Sequence, residues 1–331
     1  MNDKKTRKIF IIGIARSGTS LMQQLIASHS EIIGVNETEI LKKFKSNIEI
    51  NDFLKEICKS KKEFKITKSY LNMIFENNLT GTNAFFFLDK FCEAHKKYFN
   101  KSCYVEKSPI HSFFIKEILS NFPNSKLIII LRNPGAIVAS RLFARKTCRG
   151  KKYGFSRKIR FLLNLSEIIF TYKEFSKWYK KNNNRILFVK YKDLVKKPNE
   201  KLRDIFNFLN LSYENVGEDI KPLDMRMKAK NINKIMNSSF RDLRKEQRKI
   251  SDGSLDKWKD ILTNSEIDFI KKYFSLENLS LINKFYPSLC FNVRKKFNLS
   301  LRLFKFFSQI DYLFFLGKNI PEKLQNKLFL I

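Results

Sequence analysis

Histidine is scarce in this sequence, with three in 331 residues, and the five cysteines (Cys58, Cys92, Cys103, Cys148 and Cys290) include no C-x-x-C pair. A metal site built from histidine or cysteine is therefore not expected. An odd, scattered set of thiols makes no disulfide framework and points to free cysteines in a reducing compartment. Long apolar runs are missing too: nowhere do about 18 uncharged apolar residues follow one another, which argues against a membrane-spanning helix. The N-terminus, MNDKKTRK, leads into a short apolar run that ends on a glycine, which is not the shape of a secretory signal. These absences together point to the cytoplasm.

Acidic residues are outnumbered, 32 Asp+Glu against 65 Lys+Arg, for a net charge of +33. Charge on that scale attracts nucleic acid, anionic membranes or acidic substrates. Lysine, asparagine, isoleucine and phenylalanine all have AT-rich codons, so the base composition of the gene is a second source of it. The placing of individual charges is more informative than their sum. With 43% hydrophobic residues over 331 positions, the chain is globular and long enough for one large α/β domain, alone or with an appendage.

The most telling stretch is Gly13-Ile14-Ala15-Arg16-Ser17-Gly18-Thr19-Ser20-Leu21. An apolar, β-branched run from Lys8 to Ile12 precedes it, and Leu21, Met22, Leu25 and Ile26 follow at helical spacing. Strand, glycine loop and helix make an anion site, because the glycines let backbone N–H groups turn inward and the helix aims its positive end at the same spot. A nucleoside-triphosphate loop reads G-x-x-x-x-G-K-[ST]. Here Gly13 and Gly18 keep that spacing, Thr19 stands in the lysine position, and the positive charge sits at Arg16. The substitution turns the reading from ATP towards another doubly anionic donor.

Strand and helix character alternate along the chain, which predicts a three-layer α/β/α fold with a mainly parallel sheet, similar to the P-loop nucleoside triphosphatases. Glu31 to Val35, Cys103 to Glu106, Lys126 to Leu131 and Arg185 to Lys190 read as strands. Helical spacing runs from Ile40 to about Phe99, Ile110 to Leu119, Pro134 to Arg145, Ile159 to Trp178 and Pro198 to Leu209. Three of the strands pass at once into Arg16, Arg132 or Tyr191 and then a helix. Ligands of open parallel sheets bind beyond the carboxyl ends of the strands, so two arginines and a phosphate-type loop there predict a crevice with two anionic positions.

Four blocks of the chain, covering most of Ile9 to Leu262, resemble the sulfotransferases that use 3′-phosphoadenosine 5′-phosphosulfate. GIARSGTSLM is similar to that family's loop for the 5′-phosphosulfate. VEKSPIH followed by FPNSKLIIILRNPGAIVASRL is similar to its 3′-phosphate block, VKYKDLVKKP followed by IFNFLNL to the next strand and helix, and ISDGSLDKW to the late loop over the nucleotide. The donor-site motifs are closest to tyrosylprotein sulfotransferases and related bacterial enzymes. The resemblance implies that Arg16, Ser17, Gly18, Thr19 and Ser20 cradle the 5′-phosphosulfate, that Arg132 and Ser140 hold the 3′-phosphate, and that Tyr191 lines the nucleotide site. It also implies that Lys107 approaches the bridging oxygen, with Ser239 and Lys257 as further nucleotide contacts. The co-substrate is then the phosphosulfate itself, and no metal is expected, because fixed cations and N–H donors suffice for a sulfuryl group.

An acceptor hydroxyl needs a general base beside the loop. Glu37 stands at the same ungapped distance from Arg16 as the catalytic glutamate of tyrosylprotein sulfotransferases; His111 is the second candidate. The chain departs from that group at Asn36, Glu39 and Ser108, where the group has an acid, an arginine and an aspartate. The implied acceptor is a hydroxyl-bearing saccharide, glycolipid or other small alcohol, with protein tyrosine an alternative.

A basic run (Arg241, Arg244, Lys245, Arg248, Lys249) reads as a solvated helix face. Residues 1–285 are expected to form the sulfotransferase domain and 286–331 a basic, phenylalanine-rich helical extension. Leu299 to Leu316 is interrupted by Arg302, Lys305 and Asp311, which suits packing or contact with an anionic membrane surface better than spanning one. No specific nucleic-acid partner is expected. Two other readings stay open at this point: a P-loop kinase, weakened by Thr19, and a basic binding protein without enzymatic activity, which explains the charge but not the positions of Arg16, Arg132 and Ser140.

Overall fold

The computed structural model describes residues 7–35, 37, 40–43, 84–143, 156–215, 219–220, 248–249, 255–277 and 280–289. Five apolar segments form one parallel sheet: β1 (Arg7–Ile12), β2 (Ile32–Val35), β3 (Cys103–Lys107), β4 (Ser125–Leu131) and β5 (Ile186–Lys190), in the order β2-β3-β1-β4-β5. The helices are α1 (Thr19–Ile26), α2 (Ile40–Lys43), α3 (Ala84–Tyr98), α4 (Ile115–Asn121), α5 (Pro134–Phe143), α6 (Arg157–Lys180), α7 (Tyr191–Lys196), α8 (Pro198–Leu209), α9 (Trp258–Ile261), α10 (Asn264–Glu277) and α11 (Ser280–Phe285). A short antiparallel pair joins Asp219–Ile220 to Arg248–Lys249.

The described residues fall into two compact units, one within 1–131 and 184–252, the other within 132–183 and 253–331. The first holds the whole sheet. On one face of it Ile9, Ile11, Val105, Ile128, Ile130 and Val189 pack against Met22, Leu25 and Ile26 of α1 and against Leu202, Ile205 and Phe206 of α8. The opposite face carries the alternate residues. Phe10 stacks at a tilt on Phe122, with ring centroids 5.1 Å apart, and meets Tyr104 edge-on. Tyr104 donates to Asp89 of α3, which Lys8 also reaches at 2.6 Å. Burial on both faces is why these strands read as near-continuous apolar runs, and it gives this unit the expected three layers.

In the second unit α5, α6, α10 and α11 pack together. Ser156 caps α6, accepting from the Ile159 N–H, and inside the unit Arg141 of α5 makes a bidentate pair with Glu167 of α6 at 2.6 and 3.0 Å. Among the described residues no helix is long and apolar enough to cross a membrane.

Differences from the sequence reading are small. The helix expected from Ile110 to Leu119 is a 3-10 turn at Pro109–Phe113 followed by α4, with Phe114 at φ −119° between them. In this turn, which opens on Pro109, the His111 ring is buried with its Nδ1 2.9 Å from Glu106 Oε2. Residues 40–43 and 84–98 are helical as expected. Residues 44–83, 144–155 and 286–331 apart from Tyr286 to Leu289 lie outside the described residues, and with them Leu299 to Leu316.

Phe10 is fully buried at the centre of the aromatic face. Phe10→Ala should cost about 3–5 kcal/mol of unfolding free energy, the usual range for emptying a buried phenylalanine site, measured by urea denaturation.

Candidate active site

The turn after β1 is built to expose backbone N–H groups. The Ser17 N–H donates to the Ile14 carbonyl at 2.9 Å, which closes the turn, and Arg16 and Gly18 take left-handed backbone angles, φ 79° and 102°. The first α1 bond runs from Met22 N–H to the Gly18 carbonyl. The N–H groups of Thr19, Ser20 and Leu21 thus start the helix, and its first turn holds no acidic residue. Gly13 is needed for space: a Cβ there would lie 2.6 Å from Ile130 and 2.7 Å from the Ser17 hydroxyl. At Gly18 a Cβ would collide with the ring of Tyr191, which lies directly against this glycine. Ser17 and Thr19 are buried and Arg16 is exposed.

The sheet register brings a cation to this loop. β3 pairs with β1 so that Lys107 stands opposite Ile11, one strand over from the residues that enter the loop. Lys107 is 2% exposed, and its Nζ donates to Glu37 Oε2 at 2.6 Å. Glu37 follows β2, whose Val35 stands opposite Glu106. The two groups predicted to act as base and as leaving-group donor are therefore partners. Gln23 of α1 holds the strand ends beneath them, donating from Nε2 to the Val35 carbonyl at 2.5 Å and the Val105 carbonyl at 3.2 Å. Sequence reasoning missed Gln23, although a glutamine inside LMQQLI was a visible break in an apolar face.

His111 belongs to the other side of the sheet. Its Nδ1 is 2.9 Å from Glu106 Oε2, with both side chains fully buried, and Ser108 donates to Glu106 Oε1 at 2.7 Å. The ring also meets Phe10 edge-on. The ring is buried against Phe10 and Glu106 on this face of the sheet, and Glu37 is the candidate base that stands beside Lys107. Nearby Cys92 is buried, and burial, reinforced by the Glu106, Asp89 and Glu93 carboxylates, pushes its thiol well above the ordinary value. It is an inert core thiol.

The second unit carries the other predicted contacts. Arg132 follows β4 directly, Asn133 caps α5 by accepting from the Ala136 N–H at 3.3 Å, and Ser140 lies further along α5. Trp258 packs its ring where a Gly135 Cβ would stand, 2.8 Å away, which brings the segment containing exposed Lys257 to the start of α5. A cleft of about 760 Å³ opens beside Asn133, Trp258, Lys259 and Lys271. Ser239, Asn36 and Glu39 lie outside the described residues. Among the described residues no three His, Cys, Asp or Glu side chains come together as a metal site would require.

A parallel sheet with a glycine turn and helix after its central strand defines a P-loop-like α/β fold. The sulfotransferase family pattern matches residues 8–215, and the chain belongs to that family. It is 26% identical over 211 residues to an uncharacterized protein of Aquifex aeolicus (strain VF5), covering 63% of this chain and about a quarter (26%) of that protein's length. It is 22% identical over 241 residues to a putative protein-tyrosine sulfotransferase of Caenorhabditis briggsae, covering 70% of this chain and 78% of that one. The sulfotransferase domain from the curacin biosynthetic pathway has a similar fold, with a TM-score of 0.55 at 19% identity over 81% of this chain and 96% of that one.

Gly18→Ala should disturb this loop in two ways, through its left-handed backbone and through Tyr191. The expected loss is at least about 1–2 kcal/mol from the backbone alone. Adding Tyr191→Ala should relieve only the collision, so the loss in the double variant falls short of the sum of the single losses. Strict additivity in thermal unfolding would show that the ring does not press on the glycine.

Proposed function

We propose that this chain transfers a sulfuryl group from 3′-phosphoadenosine 5′-phosphosulfate to an acceptor hydroxyl, releasing adenosine 3′,5′-bisphosphate. The observation that carries the proposal is the Lys107–Glu37 pair at 2.6 Å beside a phosphate-type loop whose own lysine position holds Thr19. The loop suits a doubly anionic group: glycines at both ends, an exposed arginine, and no carboxylate in the first turn of α1. Arg16 and the N–H groups of Ser17 to Leu21 would hold the 5′-phosphosulfate, with Tyr191 bounding the loop. Arg132, Ser140, Ser239 and Lys257 are the proposed contacts to the rest of the nucleotide.

In the reaction Glu37 takes the proton of the acceptor hydroxyl as that oxygen bonds to sulfur. Lys107 donates to the bridging oxygen as the old S–O bond breaks and negative charge grows there. Ser108, bonded to Glu106, occupies the place where tyrosylprotein sulfotransferases have an aspartate. The proposed acceptor is therefore a saccharide, glycolipid or other small alcohol in preference to protein tyrosine.

Titration with adenosine 3′,5′-bisphosphate and with ATP tests the donor site. The bisphosphate should bind more tightly, and Arg132→Ala should weaken it by about 1.5–3 kcal/mol, the scale of a hydrogen bond to a charged group. Equal, weak binding of both ligands that vanishes with salt would instead indicate a nonspecific basic surface.

In an acceptor screen Glu37→Gln should lower turnover by roughly 10²- to 10⁴-fold with bisphosphate affinity nearly unchanged. Lys107→Ala should cost on the order of 10²-fold or more. A chelator should leave the rate within about twofold, because the loop and Lys107 supply the positive charge that magnesium supplies in a kinase. Activity lost to chelator and restored by magnesium would return the chain to the kinase reading.

A further inference from the structure

The hydroxyl of Tyr172 makes two hydrogen bonds to one residue. It accepts from the backbone N–H of Arg132 at 3.1 Å and donates to the Arg132 carbonyl. One hydroxyl has one proton to give and lone pairs to receive, so this arrangement uses it in both directions on the two peptide groups that set the backbone angles of Arg132. Tyr172 comes from the middle of α6 and is 1% exposed. Its ring lies edge-on to Phe274 of α10 at 6.1 Å and to Phe175 at 6.0 Å, so it has little freedom to turn away. Burial holds its phenol well above the ordinary value, with Arg132 pulling the other way, so it keeps its proton at neutral pH. A second tie fixes the same pair of helices: the bidentate Arg141–Glu167 bond fastens α5, which begins two residues after Arg132, to α6.

We propose that Tyr172 is a positioning residue for the nucleotide site, which fixes the backbone of Arg132 so that the guanidinium is already aimed for the 3′-phosphate before ligand binds. Arg132 sits between the end of β4 at Leu131 and the start of α5 at Pro134. A phosphate-reading arginine at such a junction gains selectivity only if its stem is held, because every freely turning bond is an entropy cost paid on binding. Nothing in the local sequence announces this. Tyr172 lies 40 positions after Arg132 and reads as one more core aromatic of a long helix.

The inference rests on the proposed role of Arg132, and the test separates the two. Adenosine 3′,5′-bisphosphate and adenosine 5′-monophosphate are titrated against the wild-type protein, Tyr172→Phe, Arg132→Ala and the double variant. Tyr172→Phe keeps the ring and loses the hydroxyl. It should weaken bisphosphate binding about tenfold, part of the full value of a charge-assisted bond, and leave the monophosphate within about twofold. In the Arg132→Ala background the same change should have no further effect. Equal losses for both ligands, an unchanged ratio, or full additivity with Arg132→Ala would each overturn the inference. A wild-type protein that does not distinguish the two nucleotides would remove the Arg132 reading itself, and the Tyr172 role with it.

A measurement on the unmutated protein stands apart from any folding defect. The Arg132 amide should exchange slowly with solvent hydrogen in the free protein and slow little more when bisphosphate binds. An amide that exchanges freely until the bisphosphate arrives would show that ligand, and not Tyr172, organises this residue.

Discussion

β1 is hydrogen-bonded on both edges, to β3 and to β4, and the positions of the loop, Lys107 and Glu37 all depend on that pairing. Parallel strands have their carboxyl ends on one side of the sheet, so the turn that leaves the central strand has neighbours on each hand. The register then decides chemistry. With Ile11 opposite Lys107, the lysine shares a face with Val105 and α1, and Glu106 faces α3 and the 3-10 turn. A slip of one residue would exchange them, placing a carboxylate on the face of the glycine loop and burying the lysine among phenylalanines. The apolar alternation of β1 and β3, packed on both faces, is what forbids the slip.

Adjacent Glu106 and Lys107 each meet a side chain on their own side of the sheet, with His111 Nδ1 2.9 Å from Glu106 Oε2 and Lys107 Nζ 2.6 Å from Glu37 Oε2. Polar pairs buried in this way repay their desolvation poorly as stabilising elements, and they fix where each side chain points. The Glu106 cluster with Ser108 and His111 holds the strand end from below. Gln23 ties the same end to β2 from the α1 side. Lys107 therefore emerges from a strand end that is fastened on both faces, which leaves it little freedom to reorganise. In the second unit the same economy appears at Arg132, where one phenol does for a junction what ladder bonds do for a strand.

Much of this was legible in advance because the relevant signals are local. The five strands were visible as apolar runs, since a sheet covered on both faces leaves no polar alternation to confuse the reading. The loop was visible because Gly13 and Gly18 stand at a fixed spacing after such a run, and a positive φ at Gly18 is what that spacing serves. Glu37 and Lys107 were chosen separately by resemblance, one after β2 and one at the end of β3, and the register brings them to 2.6 Å. The split of the helix after Pro109 was not legible. Helical spacing alone does not separate a 3-10 turn from the first turn of an α-helix.

What the sequence by itself determined, then, is the order of elements, the glycine turn after the central strand and the family to which the chain belongs, because turn chemistry and apolar periodicity act over a few neighbouring residues. Only the tertiary structure decided which charges meet. Glu37 and Lys107 are 70 positions apart and Arg132 and Tyr172 are 40, and contacts at that separation depend on strand register and helix packing. His111 shows the difference most plainly: by sequence it stands four positions from Lys107 as a second candidate base, and the alternation of the strand, together with the turn after it, sends it to the opposite face of the sheet.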